Sequence, residues 1–386
     1  MSPKAIPYGR QQITERDIEA VVATLRSDFL TQGPQVAAFE EAFASYIGSQ
    51  YAIAVANGTA ALHLSALALG VGPGKRVITS PLTFAASANC VLYCGGTVEF
   101  CDIDPQTLLL DIEQVRKKLE AAPVGTYAGI IPVDFAGAAI DMEAFRALAD
   151  DFGLFLLEDS CHAPGGYFTD SKGKKQNCGN GVFADAAIFS FHPVKHIACG
   201  EGGMITTNDP KLYQKLLRLR THGITKNPKE LTTNDGGWYY EMQDLGFNYR
   251  LSDISAALGL SQLERAVENL SIRRAIADKY AVAFESIEEV EFMNTLNEGH
   301  AYHLAVVQVK NRKELYDHLR AHHIYTQVHY IPLHLQPYYQ QRFGTQMGDF
   351  PEVENYYTQA LSLPIFPTLD FKDLDYIINT IKKFYK

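Results

Sequence analysis

In a chain of 386 residues, one lysine stands where an amine could act as a nucleophile. Lys195 lies in "FSFHPVKHIACGEGGM", after an apolar run that ends on Ser190 and before a glycine cluster. A lysine there serves as a solvated charge, a phosphate ligand or an amine presented to a carbonyl. Two carboxylates, Glu158 and Asp159, close a second apolar run in "LFLLEDSCHAPGG". Alternation along a strand turns them to opposite sides. Either could meet a ligand there or cap the following turn. A third stretch, "ANGTAALHL", sets Asn57, Gly58, Thr59 and Ala60 between a strand and a helix. Small residues let the backbone approach a ligand, and the free N–H groups of a helix start favour an anion. Thr59 as a simple helix cap is the alternative.

Taken together, an amine, an acid and a phosphate cradle fit an aldehyde cofactor that carries a phosphate and a pyridine ring. The lysine would form an imine with the aldehyde. The carboxylate would keep the ring nitrogen protonated, which makes the ring an electron sink. An aromatic should cover one ring face, and "SPLTFAASAN" offers Phe84. Cys161 and His162 are adjacent and would point apart on an extended chain, so a Cys–His nucleophile is not expected. Three other patterns fail. "GVGPGKR" is one residue short of a Walker A loop and has Arg76 where Ser or Thr should stand. "GNGVFA" leads into a strand instead of leaving one, which is wrong for a dinucleotide fingerprint. "HLRAH" places His318 and His322 on one helix face without the Glu of a zinc protease.

The elements that must position these groups alternate. "YAIAVA", "RVITS", "TVEFCDID", "AGIIPVDFAG", "LFLLED" and "AAIFSF" read as strands, and helical patterns follow the first four. Asp111 should cap "DIEQVRKKLEAA". Near-continuous Val, Ile, Leu and Phe strands argue a mainly parallel sheet sandwiched by helices, with ligands bound beyond the strands' carboxyl ends. From Leu251 to about Glu285 the helical period is long and reads as a connecting spine. A smaller α/β unit follows, with strands in "YHLAVVQV" and "YTQVHYI" and a helix that Asn311 should cap. Two domains are expected, 1–250 and 251–386.

The net charge of -10 argues against nucleic-acid or membrane-surface partners, which want a basic face. The first ten residues lack the apolar core of a signal peptide. The six cysteines form no CxxC pair and sit mostly in apolar runs. Free thiols in a cytoplasmic protein are expected.

The chain resembles the DegT-type sugar aminotransferases, pyridoxal-phosphate enzymes of fold type I, the aspartate aminotransferase fold. "LTQGP", "NGTAALHLSALALG", "SPLTFAASAN", "EDSCHAPGG", "FSFHPVKHIACGEGGM" and "FNYRLSDISAALGLSQL" carry the resemblance in order over essentially the whole chain. It implies pyridoxal 5'-phosphate as cofactor, with Lys195 as the imine lysine and Asp159 on the pyridine nitrogen. His162 would lie near the ring hydroxyl and Phe84 would stack on the ring. Gly58, Thr59, Ala60 and Ser190 would hold the phosphate, and Asn248 would reach the phosphate of a second subunit in a homodimer. Substrate contacts would come from Tyr8, from Phe29, Leu30 and Thr31, and from His329 and Tyr330.

Within the family, "IPYGRQQI", "WYYEMQDLGFNYRLSDI" and "VHYIPLHLQPYY" are most similar to members that aminate UDP-linked 4-keto-6-deoxy-N-acetyl sugars of the altrosamine type, with glutamate as the expected donor. Other UDP- or dTDP-4-keto sugars are the alternative. Dehydratase relatives have His in place of Lys195, and a non-catalytic sugar-nucleotide sensor would have lost Lys195 or Asp159. "HIACGEGG" departs from the small hydroxyl residues that relatives often carry before the glycines.

Overall fold

The computed structural model describes residues 5–293 and 298–386. Its strands, in chain order, begin with β1 Tyr51–Val55, β2 Arg76–Thr79, β3 Thr97–Phe100, β4 Tyr127–Ile131 and β5 Phe155–Asp159. A hairpin of β6 Tyr167–Thr169 and β7 Lys175–Asn177 precedes β8 Ala186–Ser190 and β9 Gly203–Thr207. A two-stranded ribbon, β10 Ile224–Thr225 and β11 Glu241–Met242, comes next, then β12 Val290–Phe292, β13 Ala305–Val309 and β14 Ala360–Leu363.

Among the described residues the main sheet has seven strands in the order β1-β9-β8-β5-β4-β2-β3. β3, β2, β4, β5 and β8 run parallel, as their continuous apolar character implies. β9 is antiparallel to both its neighbours, β8 and β1. The sequence reading passed over β9, because a glycine-led segment after the lysine turn has no helical crossover in front of it. The carboxyl ends of β1, β2, β5 and β8 thus meet at one edge, beside the start of β9.

Two apolar layers cover this sheet. One gathers Ile53, Leu62, Val77, Leu157 and Ile188 beneath the helix Gly58–Ala68. The other gathers Phe39, Phe43, Phe189 and Phe191 beneath the helix Pro34–Ile47. That helix starts on a proline at its first turn and stops at Gly48, whose φ of 88° suits a residue without a Cβ. A separate core forms around β12, β13 and β14, with Tyr280, Phe284, Val307, Leu363 and Ile377.

Three local readings differ. The expected spine is two helices, Asp253–Leu263 and Ala266–Phe284, with Arg265 between them at a non-helical ψ. The first has small residues such as Ala256, Ala257 and Gly259 on its buried side, so Phe39 and Cys199 approach it closely. It packs with the helices Glu15–Leu25 and Pro34–Ile47 rather than with the C-terminal core. "YTQVHYI" forms no strand; it touches β14 through a single Gln327–Ser362 bridge. Asn311 precedes its helix in a left-handed conformation, φ 55°, and makes no side-chain cap. Asp111 does cap, accepting from the N–H groups of Glu113 and Gln114.

Phe43 is fully buried and packs edge-on against Phe189 and Phe191 at 4.9 and 5.3 Å, the two rings that flank Ser190. Phe43→Ala should cost about 3–5 kcal/mol. The checking measurement is the denaturant midpoint, and a shift no larger than that of a surface Ala substitution would refute this packing role.

Candidate active site

A cavity of about 900 Å³ opens at the carboxyl edge of the main sheet. Its wall includes Tyr8, Gly58, Thr59, Phe84, Asp159, His162, Ser190, Lys195, His329 and Tyr330, all expected from the sequence.

Lys195 sits in the turn between β8 and β9, its N–H bonded to the carbonyl of His192. The side chain is half-buried, and no carboxylate pairs with it among the described residues. Its Nζ lies 3.3 Å from Nε2 of His303. Desolvation lowers its pKa, opposed by the Cys161 thiol and the Asp159 carboxyl nearby. A lysine so placed has more of its amine in the neutral, nucleophilic form.

Asp159 ends β5 and is buried. Its Oδ2 accepts from the Ser87 hydroxyl at 2.6 Å and its Oδ1 from the Cys161 N–H at 3.1 Å. Glu158 turns the other way, as alternation requires. Its Oε1 accepts from the Gly179 N–H, beside Asp134, and it lies off the cavity wall. Burial raises the pKa of both acids, Asp134 to about 6. Geometry therefore selects Asp159 over Glu158 as the acid facing the cavity.

At the third corner, Asn57 caps the helix Gly58–Ala68, its Oδ1 accepting from the Ala60 N–H at 2.8 Å. Ala60 is buried with its N–H so occupied and is off the wall. Gly58 and Thr59 line the cavity at the helix start. A Cβ at Gly58 would stand 2.9 Å from Ser190 Cβ, so the absence of a side chain lets the two strand ends close on one another.

His162 accepts the Ala136 N–H at Nδ1, 3.2 Å away. Its proton must then be on Nε2, which faces the Tyr330 hydroxyl at 3.3 Å. Burial, and then the Lys195 charge, hold this imidazole well below its ordinary pKa, so it is a neutral donor. Cys161 and His162 both line the cavity: the chain turns at these residues and is not extended as expected. The burial-raised thiol of Cys161 is no nucleophile. Phe84, 60 % exposed, projects at the mouth with its ring 6.1 Å from that of Tyr330. Tyr8 packs 5.3 Å from His329, whose Nδ1 pairs with Ser362.

Besides Ala60, four expected residues are elsewhere. Phe29, Leu30, Thr31 and Asn248 are exposed and off the wall. The carbonyl of Leu30 accepts from the Asp253 N–H, and Asn248 bridges to Thr221. Ser87 and His303 were missed. Ser87 lies one turn after Phe84 on the same helix, a spacing that could have revealed it. His303 was read as part of a strand that in fact begins at Ala305, and nothing local marks it.

Residues 11–382 match the DegT/DnrJ/EryC1/StrS aminotransferase family. The spore coat polysaccharide biosynthesis protein SpsC of Bacillus subtilis is 40 % identical, over 99 % of this chain and 97 % of its own. Helicobacter pylori PseC, an aminotransferase involved in the biosynthesis of pseudoaminic acid, superposes with a TM-score of 0.88 at 29 % identity, over 99 % of both chains. A Streptococcus pneumoniae protein solved in its PLP form gives a TM-score of 0.88 at 28 % identity, over 98 % of both chains. The chain belongs to this family, the sugar aminotransferases its motifs resemble, and its cofactor is pyridoxal phosphate. The wall fits that group: an amine without an ion pair, a buried carboxylate and a glycine-led helix start converge on one cavity.

Five of the buried histidines, His162, His196, His300, His303 and His329, have pKa values depressed by desolvation, those of His300 and His329 to about 3. In the unfolded chain each titrates near 6.5. As pH falls from 7 to 6 the unfolded state gains protons that the folded state refuses, so stability falls. The histidines alone should account for a loss on the order of 3 kcal/mol across that unit. Asp134 and Glu158, raised by burial, take up protons in the folded state and offset part of it. Denaturant midpoints at pH 7 and 6 check this, and equal midpoints would refute it.

Proposed function

We propose that this sugar aminotransferase converts the C4 ketone of a UDP-linked 4-keto-6-deoxy-N-acetylhexosamine to an amine, with glutamate as donor. The product would be UDP-4-amino-4,6-dideoxy-N-acetyl-β-L-altrosamine. The observation that carries the amination chemistry is the convergence of Lys195, Asp159 and the Gly58 helix start on one cavity. What supports the sugar is the likeness to PseC together with "IPYGRQQI" and "VHYIPLHLQPYY".

Pyridoxal phosphate, when bound, would supply an electron sink and carry the amino group from donor to ketone. Lys195 Nζ would hold it covalently and, when free, would move the proton that the amination requires. Asp159, itself oriented by Ser87 and the Cys161 N–H, would hold a proton on the ring nitrogen. Gly58, Thr59 and Ser190 would hold the phosphate. His162, its tautomer set by the Ala136 N–H, would donate from Nε2 to the ring's oxygen. Phe84 would pack against the cofactor, and Tyr8, His329 and Tyr330 would bound the sugar.

Phe29, Leu30, Thr31 and Asn248 act across a two-fold interface in this reading, with Asn248 completing the neighbouring subunit's phosphate site. Apolar surface supports an interface: Phe29 is 52 %, Trp238 75 % and Leu245 78 % exposed. The large unit is proposed as 1–250 and the small one as 251–386, with the helix Asp253–Leu263 seated on the large one. Free cysteines suit a reducing compartment, the cytoplasm.

Incubation with glutamate and a panel of UDP- and dTDP-4-keto sugars tests the reading. The altrosamine-type UDP sugar should turn over fastest, giving a product amine at C4 and 2-oxoglutarate. Turnover of a dTDP sugar alone would overturn the substrate assignment. Exchange of subunits between Lys195→Ala and Asn248→Ala variants tests the shared site. A mixed dimer has one site with both lesions and one with neither, so activity should rise above either parent. Well-mixed heterodimers that gain nothing would exclude it.

A further inference from the structure

We propose that His303 is a positioning residue for Lys195: its Nε2 holds the lysine amine at the reacting edge of the cavity whenever Nζ is not bonded to the cofactor. The inference rests on the reading of Lys195 as the reacting amine.

The geometry begins with a hydrogen bond, and among the described residues no carboxylate forms an ion pair with the same amine. Nζ lies 3.3 Å from His303 Nε2. Both oxygens of Asp159 are engaged by Ser87 and the Cys161 N–H. An ammonium can only donate, so Nε2 must accept when Lys195 is charged, with the imidazole proton on Nδ1. Nδ1 is buried and has no partner among the described residues. The ring is thus kept at Lys195 even though its far nitrogen goes unsatisfied.

The main chain around His303 is fixed from three sides. Ala301 N–H donates to the Gly137 carbonyl at 2.7 Å and Leu304 N–H to the Ala136 carbonyl at 3.1 Å. Gly137 has φ 102°, and a Cβ there would stand 2.8 Å from the Tyr302 nitrogen and 3.0 Å from that of His303. His196, next to Lys195 in sequence, donates from Nε2 to the Ala301 carbonyl at 2.8 Å. From the other side comes Arg273, on the helix Ala266–Phe284, 2 % exposed and in no ion pair among the described residues. Its Nη1 reaches the carbonyls of Tyr302, His303 and Ile365 at 3.2, 3.5 and 3.1 Å. A buried guanidinium spent on backbone carbonyls is costly unless the placement matters. Here it ties the turn carrying His303 to the C-terminal core.

Other ionisable groups leave His303 as the acceptor. Lys195 faces Cys161 and Asp159, which favour its charged form. Burial, then the Lys195 charge and that of Arg273, oppose a positive charge on His303, whose ring lies 4.4 Å from that of His162 and 5.8 Å from that of His196. The imidazole therefore stays neutral beside the lysine. Its role in the reaction is to keep a released amine within reach of the proton it must move, in place of a rotamer that swings away.

The test compares His303→Gln with His303→Asn. A Gln amide reaches the position of Nε2, whereas Asn ends near that of Nδ1, too short to meet Nζ. In the full chain freed of cofactor, the pH dependence of Lys195 modification by trinitrobenzenesulfonate, followed on the "HPVK" peptide, reads the lysine's own titration. Loss of the acceptor leaves a half-buried ammonium less stabilised, so the Asn midpoint should fall by about one pH unit. The Gln midpoint should stay near the parent's. In the holoenzyme, Asn should lower kcat on the order of tenfold with little change in KM for the donor, and Gln should recover most of it. Unchanged midpoints in both variants, or equal losses of kcat in Gln and Asn, would overturn the proposal and leave His303 a packing residue. Borohydride reduction of the parent holoenzyme separates the two readings. Label on Lys195 with an unshifted Asn midpoint sinks the His303 inference alone, while label on another lysine sinks the assignment of Lys195 itself.

Discussion

An amine in a desolvated cavity, with no carboxylate pairing it among the described residues, is the constraint on which the rest of the structure depends. A buried Lys195–Asp159 ion pair would satisfy both groups and leave neither available for chemistry. The fold prevents this by giving Asp159 two other donors, Ser87 and the Cys161 N–H, and by giving Lys195 a neutral imidazole. Burial then lowers the lysine's pKa, against the opposing pull of Cys161 and Asp159. The surrounding histidines, neutral for the same reason, add polarity without adding negative charge.

Holding these groups apart yet on one cavity is the work of the sheet. β5 and β8 are parallel neighbours, so Asp159 and Ser190 leave the same edge. β9 returns antiparallel between β8 and β1, which converts the lysine turn into a short loop and brings Ser190 against Gly58. A longer crossover at that point would free the lysine from the strand ends that orient it. Phe189 and Phe191, buried on either side of Ser190, anchor the loop in the aromatic layer beneath.

The cavity's far wall comes from later in the chain. His303 precedes β13 of the C-terminal core, and Arg273, on a helix of that core, holds the carbonyls of Tyr302 and His303. The His329 carbonyl accepts from the Tyr356 hydroxyl, in a cluster that joins Ile78, Ile130 and Leu156 to Leu304 and Val306.

The sequence alone determined the chemistry-bearing residues whose signal is local. A lysine between an apolar strand and glycines left three roles open, and a buried strand ending in Glu158 and Asp159 offered two acids for a ligand or a turn. Small residues at Gly58 and Thr59 marked a helix start with open N–H groups. Strand hydrophobicity likewise determined the parallel sheet. Tertiary structure decided what depends on contacts distant in sequence. It chose Asp159 over Glu158, since Gly179 holds the latter. It set the proton on His162 through the Ala136 N–H, split the spine at Arg265, and brought His303, 108 residues away, to Lys195. Such pairings leave no mark on either segment, because each histidine or acid would look the same in sequence whatever it met in space.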